Sequence, residues 1–383
     1  MSPVLEITKA LTRLTGVVSI TVAITSCQTP APRVEVPVTP LQQETKAPEP
    51  ILTQIIPEPL PTNNIQNIVI NQVPIQIQLP APKVTNMWIS WAGWSQTNGL
   101  GKPQPLNSTA NPTYLLQTPT GAMSLSVGSR LAHFGKSEWQ LGFAPQLING
   151  EPYIHALDVE KNIQPLLNGI SDIVITKRIV VLDPGHGGED PGTKSVIGNH
   201  FEKDYTLDWA RRLRPLLETQ GWKVYLTRTN DVRLSLNDRV EFADRVGAIV
   251  FISLHFNSAF PNLKQSGLET YCLTPSGMPS NLIRNFPDDS NEVFPNNAFD
   301  LQNVELAMRL HRSVLETTKR PDRGVRRARF MGVLRGHQRP AVLIEGGYLS
   351  NPQEARLIAD PAFRQKLAES VANALNQVPV KEL

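Results

Sequence analysis

Cysteine is nearly missing from this chain: 383 residues contain two, Cys27 and Cys272. That excludes a disulfide framework and a structural zinc site built on cysteines. Charge of one sign is also lacking. With 37 Lys and Arg against 34 Asp and Glu, the formal net charge is +3, too small a basic excess for a nucleic-acid binder. The apolar run Leu14 to Ile24 falls far short of the roughly 20 residues that cross a bilayer. Proline is plentiful, 33 in all and concentrated near the front, so an ordered part and an unstructured part are expected.

Residues 1–27 carry Lys9 and Arg13, then the apolar run, then Thr25-Ser26-Cys27. This order describes a secretory signal. Ile24-Thr25-Ser26-Cys27 resembles the lipobox of bacterial lipoproteins, which implies acylation of Cys27, a membrane tether and export to the periplasm or cell envelope. An ordinary cleaved signal and an uncleaved anchor stay open. Residues 28–83 are dense in Pro, Thr, Gln, Val and Ile with no sustained period, and read as a disordered Pro-rich linker.

Residues 84–172 change character. Four of the six tryptophans fall here (Trp88, Trp91, Trp94, Trp139), with short alternating runs and the turn signals Asn98-Gly99 and Asn149-Gly150. These features predict a small β-rich accessory domain. The stretch Leu147 to Ile154 resembles a repeat of small β-rich stalk modules in cell-envelope enzymes. The tryptophans are read first as packing, with a carbohydrate-stacking surface as the alternative.

From 173 to 383 the pattern is regular. A β-branched run at Arg178–Leu182 and further strand-like runs at Gly221–Arg228, Gly247–Leu254, Gly267–Leu273 and Ala341–Glu345 alternate with helical spacing at Leu207, Ala210, Leu213 and Leu217, then at Leu306, Leu310 and Val314. Ser235, Asn351 and Asp360 stand where helix caps belong. The expected fold is α/β: a three-layer sandwich with a twisted mixed sheet and helices on both faces, preceded by the β-rich module and the linker. His186 follows the first strand, His255 ends the third, Glu345 ends the last, and Glu202 opens the first long helix. Two imidazoles and a carboxylate from separate elements form a candidate zinc set, leaving a fourth position for water.

The ordered segments Leu182-Asp183-Pro184-Gly185-His186-Gly187-Gly188, Glu202-Lys203, Leu226-Thr227-Arg228, Ser253-Leu254-His255-Phe256-Asn257, Gly267-Leu268-Glu269-Thr270-Tyr271, Arg323-Gly324-Val325 and Pro340 to Glu345 resemble the zinc-dependent N-acetylmuramoyl-L-alanine amidases of bacteria over about residues 176–378. The resemblance implies one zinc held by His186, Glu202 and His255, catalysis by Glu345, and peptidoglycan as substrate. A protein activator stays open. The competing readings are a catalytically silent wall-binding lipoprotein and a zinc peptidase acting on stem-peptide cross-links.

Other residues are weighed alongside these. His200 is assigned to a surface loop; His133, His155, His311 and His337 to structural or exposed roles. Asp183 and Asn257 are candidates for orienting a ligand. The cluster Lys319, Arg320, Arg323, Arg326, Arg327 and Arg329 reads as a solvated basic face, or as a site for stem-peptide carboxylates. Thr274 to Asp300 reads as an irregular lid or rim loop, since Pro275, Pro279, Pro287 and Pro295 oppose a long helix; Asp289 or Glu292 could plug the metal.

Overall fold

The computed structural model describes residues 88–168, 177–284 and 287–378. The expected signal, Cys27 and the linker lie outside the described residues, as does the expected boundary at 172/173.

The first described stretch is rich in short strands. β1 (Trp88–Ser90) and α1 (Trp91–Thr97) are followed by β2 (Gln104–Pro105), β3 (Thr113–Thr118), β4 (Gly121–Ser126), β5 (Leu131–Phe134) and β6 (Ser137–Gln140). β3 to β6 form an antiparallel meander, with β2 on the far side of β3. β7 (Gln146–Ile148) and β8 (Glu151–His155) pair across Asn149-Gly150, both with positive φ (53° and 83°), the conformation a two-residue hairpin demands. β8 also pairs with β1, completing a separate three-stranded sheet. A helical run follows: α2 (Ala156–Asp158), a π-turn (Val159–Ile163) and α3 (Gln164–Asn168). Trp91 and Trp139 are fully buried in the core, as packing requires.

The second stretch carries β9 (Ile179–Pro184), α4 (Glu202–Thr219), β10 (Lys223–Leu226), α5 (Leu236–Arg245), β11 (Val250–Asn257), β12 (Leu268–Cys272), α6 (Asp300–Thr318), β13 (Asp322–Arg327), α7 (Gly332–Arg335), β14 (Ala341–Tyr348), α8 (Pro352–Ala359) and α9 (Pro361–Asn376). β10, β9, β11 and β14 run parallel, and β12 turns antiparallel against β14, giving the mixed sheet. Strands covered on both faces read as unbroken apolar runs. Val180, Leu182, Ile252, Leu254, Val342 and Ile344 share a core with α4, α6 and α9. Val181, Phe251 and Leu343 share the opposite one with α5 and α7. Helices therefore cover both faces. The expected caps are present: the Ser235 side chain accepts from Asp238, that of Asn351 from Gln353 and Glu354, and that of Asp360 from Ala362.

The two stretches share one sheet. β13 pairs with β6 in parallel through Val325 and Trp139, so the meander extends the α/β sheet to eleven strands in the order β10-β9-β11-β14-β12-β13-β6-β5-β4-β3-β2. Polar contacts reinforce this seam. The Glu138 N–H donates to Asp322 at 2.9 Å, Arg130 donates to the Pro279 and Ser280 carbonyls, and Arg312 donates to the Phe134 carbonyl.

Candidate metal centre

β9 and β11 are neighbouring parallel strands, so their carboxyl ends deliver His186 and His255 to the same edge of the sheet. The ring centroids lie 4.9 Å apart at 78°. The approach requires Gly185: an added Cβ there would stand 2.2 Å from the His255 ring. Glu202, at the first turn of α4, is buried between them. Its Oε1 lies 3.1 Å from His186 Nε2 and 2.8 Å from His255 Nδ1. One ligand atom from each of the three falls within 4.8 Å of the others. Burial opposes ionisation of Glu202, yet hydrogen bonds from both histidines and their charge pull its carboxyl below the usual range.

Contacts around the three side chains fix this geometry. His186 holds a left-handed backbone (φ 61°), strained for a residue with a side chain and maintained only where surroundings enforce it. Arg239 supplies that enforcement. It donates to the His186 carbonyl at 2.9 Å and the Pro184 carbonyl at 3.1 Å, and is itself held by buried Asp183 at 2.5 Å. Asp183 further accepts from Thr227 at 2.6 Å and Ser253 at 2.8 Å. Burial pushes Asp183 up, but Arg239 and these hydrogen bonds win and hold its carboxyl below the usual range. Arg228 donates to the Pro184 and Gly185 carbonyls at 3.0 and 2.8 Å. On the outer side, Asp190 lies 2.9 Å from His186 Nδ1, which leaves Nε2 facing Glu202.

Glu345 occupies β14 beside His255 and opposite Glu269 of β12, so these three side chains stand in one lateral row. It is buried, and its Oε2 has no hydrogen-bond partner among the described residues. Burial first, then the charges of Glu202 and Glu269, push this carboxyl well above the usual range. Glu269 is the saturated member of the row. It accepts from Asn257 (2.9 Å), Tyr271 (2.7 Å), Tyr348 (3.1 Å) and Arg323 (2.8 Å). A cavity of about 170 Å³, lined by His186, His255, Leu236, Phe330 and Val333 among others, opens beside the triad.

Two imidazoles and a carboxylate brought this close form a group that could hold a metal ion. The N-acetylmuramoyl-L-alanine amidase family model matches residues 180–377, a little over half of the chain. The chain belongs to this family. It is an amidase, and the bond the family name specifies joins N-acetylmuramic acid to L-alanine. It is 34% identical over 221 residues to the amidase AmiA of Salmonella typhimurium, covering 52% of this chain and 75% of that protein. AmiA of Escherichia coli is 32% identical over 220 residues with the same coverage. Among solved structures, an N-acetylmuramoyl-L-alanine amidase of Clostridium difficile 630 is 32% identical over 52% of this chain and 95% of its own, with a TM-score of 0.43.

Residues outside the triad in this amidase sort as follows. His200 is exposed and faces Tyr205. His155 stacks on Phe143, and His311 bridges Thr270 and Asp322. The basic cluster is not one face. Arg327 and Arg329 are fully buried, Arg320 pairs with Glu354 and Arg323 with Glu269. Sequence reasoning read this segment as surface because β13 has a single large apolar residue, Val325. Among the described residues, 274–284 and 287–294 are irregular, as the prolines dictate, and Pro295–Phe299 forms a 3-10 turn; Asp289 and Glu292 are both exposed, and Asp289 accepts from Asn291. Arg239 was missed: in sequence it is one charged residue within an amphipathic helix, and only tertiary contact shows its role.

Proposed function

We propose that this amidase cleaves the bond between the lactyl carbonyl of the muramic sugar and L-alanine at one zinc ion held by His186, Glu202 and His255, with Glu345 as the catalytic carboxylate. The convergence of the three ligand atoms beside a buried carboxyl with an unpartnered oxygen carries this reading. The donors suit zinc, a borderline ion that takes imidazole nitrogen and carboxylate oxygen alike. When bound, zinc polarises a carbonyl and lowers the pKa of coordinated water toward about 7. The protein supplies the rest. Asp190 sets the His186 tautomer, Arg239 holds the His186 backbone, and Glu202 stays ionised between the imidazoles. Glu345, buried beside the charges of Glu202 and Glu269 and so with a raised affinity for a proton, is suited to accept one from water and deliver it to the leaving nitrogen.

Digestion of purified peptidoglycan followed by mass spectrometry tests this reading. Free stem peptides with intact glycan are expected; stem fragments still attached to sugar would instead indicate a peptidase. Zinc content measured on the same sample should be close to one per chain.

The layout we propose around this centre is a lipoprotein signal at 1–27, a linker at 28–83, a β-rich accessory domain at 84–172 and the catalytic domain at 173–383. Acylated Cys27 would tether the enzyme in the envelope beside its substrate. The lipobox resemblance supports this. Labelling with a fatty-acid analogue should mark the wild type and spare Cys27→Ser.

A further inference from the structure

A groove of about 390 Å³ runs beside the metal centre, lined by Thr193, Ser195, Val196, Ser258, Phe260 and Ser350. Both walls continue segments that carry metal-site residues. One is the loop leading into Glu202. Its Thr193 N–H donates to Glu202 Oε2 at 2.9 Å. Gly192 (φ 65°) presses so close that an added Cβ would lie 2.6 Å from His186 Cδ2 and 2.7 Å from Glu202 Oε2. The other wall is the stretch after β11, where Ser258 stands three residues beyond His255. Hydrogen bonds tie both walls to the end of β14: Val196 N–H to the Leu349 carbonyl at 3.1 Å, and Ala259 N–H to Ser350 Oγ at 2.9 Å. The groove is therefore walled by the segments that carry His186, Glu202 and His255 into the metal centre.

Its chemistry is two-sided and free of carboxylates. The hydroxyls of Ser195, Ser258 and Ser350 each accept a backbone N–H, at 3.3, 3.4 and 2.9 Å. A hydroxyl oriented in this way keeps its own proton to donate. Phe260 stands at the lip and is 74% exposed, more than any other large apolar side chain among the described residues. No carboxylate lines the groove, and Lys194 is its single cation. A ligand with many ionised carboxylates would call for arginine forks, which this lining lacks. A flat ring with an apolar face and a hydroxylated rim fits both halves of the lining.

We propose that this groove is a subsite for the glycan strand, in which Phe260 stacks on the apolar face of a sugar next to the one bearing the scissile amide and the half-exposed Ser258 hydroxyl meets its rim, with Ser195 and Ser350 buried behind it. The inference rests on the amidase reading and deepens it. It explains an exposed phenylalanine that the reaction centre itself does not use.

The test compares the full chain with Phe260→Ala and Phe260→Trp. Turnover is measured on a glycan strand of several disaccharides carrying stems and on a single N-acetylmuramoyl peptide. The ratio of the two kcat/KM values should fall about 3- to 10-fold in Phe260→Ala, through KM on the strand, the scale of one aromatic contact. Phe260→Trp should restore it. An unchanged ratio overturns the subsite. Binding of a stem-free glycan strand, followed by calorimetry, decides the matter independently of turnover. Binding weaker by the same factor in Phe260→Ala supports the subsite, and equal binding, or none to either protein, rejects it. A wild type that binds the strand but cleaves neither substrate counts against the amidase reading alone.

Discussion

Where the meander joins the α/β half, Arg327 is buried and fully engaged. It donates to Asn162 Oδ1 at 3.0 Å and to the carbonyls of Lys161, Leu273 and Asp300 at 2.6, 3.1 and 3.4 Å. Asp158 nearby accepts from Gly142, Phe143 and Asn162 at 2.7 to 2.8 Å. At the carboxyl ends of β9, β11 and β14 the same sheet buries another group of polar side chains. There His186, Glu202 and His255 point at one another, and a Glu345 oxygen has no partner. Burying a charged or polar group costs free energy in both places unless partners replace its water. The seam supplies those partners from its own backbone and so serves structure. The other end leaves a Glu345 oxygen without one, as the proposed reaction centre requires.

The sharpest way to break this contrast is at the metal end. Glu345→Gln should lower turnover about 10²- to 10⁴-fold while zinc content by atomic absorption stays at the wild-type level. A variant that loses zinc along with activity would make Glu345 a structural residue instead. At the seam the opposite pattern is expected. Arg327→Met strips hydrogen bonds from several buried carbonyls and should cost roughly 3–5 kcal/mol in denaturant unfolding, with the zinc affinity of the folded protein unaltered. An intermediate case is Asp183, a satisfied group whose partner Arg239 braces a proposed ligand. Asp183→Asn should weaken zinc binding about 10- to 100-fold in a chelator competition. A result confined to stability would place Asp183 with the seam.

The smallest expected effect concerns pH. His337 is buried against Phe251, ring centroids 3.8 Å apart. Burial, then the charge of Arg339, pushes it from its ordinary 6.5 down to about 3. The fold thus favours the neutral ring. Its contribution to stability is complete above pH 6.5 and is lost as pH falls through the window toward 3. Between pH 6.5 and 5 that loss should amount to about 1–2 kcal/mol. His337→Leu should flatten this part of a stability-versus-pH curve, and an unchanged slope would assign the acid sensitivity elsewhere.

Legibility in the sequence followed the strength of local signals. α4 was readable from Leu207, Ala210, Leu213 and Leu217, all buried in the structure. Helices α5, α8 and α9 were readable from their caps, because a cap is a contact within a few residues. β13 was hidden. Asp322–Arg327 lacks apolar alternation, and its arginines are satisfied by Glu269, Asn162 and distant carbonyls that no local window contains. The continuation of the sheet from β13 into β6 was hidden for the same reason, since its register depends on residues far apart in the chain.

The sequence alone determined which residues could act: two histidines, Glu202 and Glu345 in an ordered set of motifs, on strand and helix ends that apolar periodicity marks out. Tertiary structure alone decided how they are arranged. The strained turn at His186, the Asp183–Arg239 brace beneath it, the unpartnered oxygen of Glu345 and the groove under Phe260 each arise from groups brought together across long sequence separations. Periodicity reports on neighbours a few residues away. Burial, hydrogen-bond partners and charge coupling depend on neighbours in space.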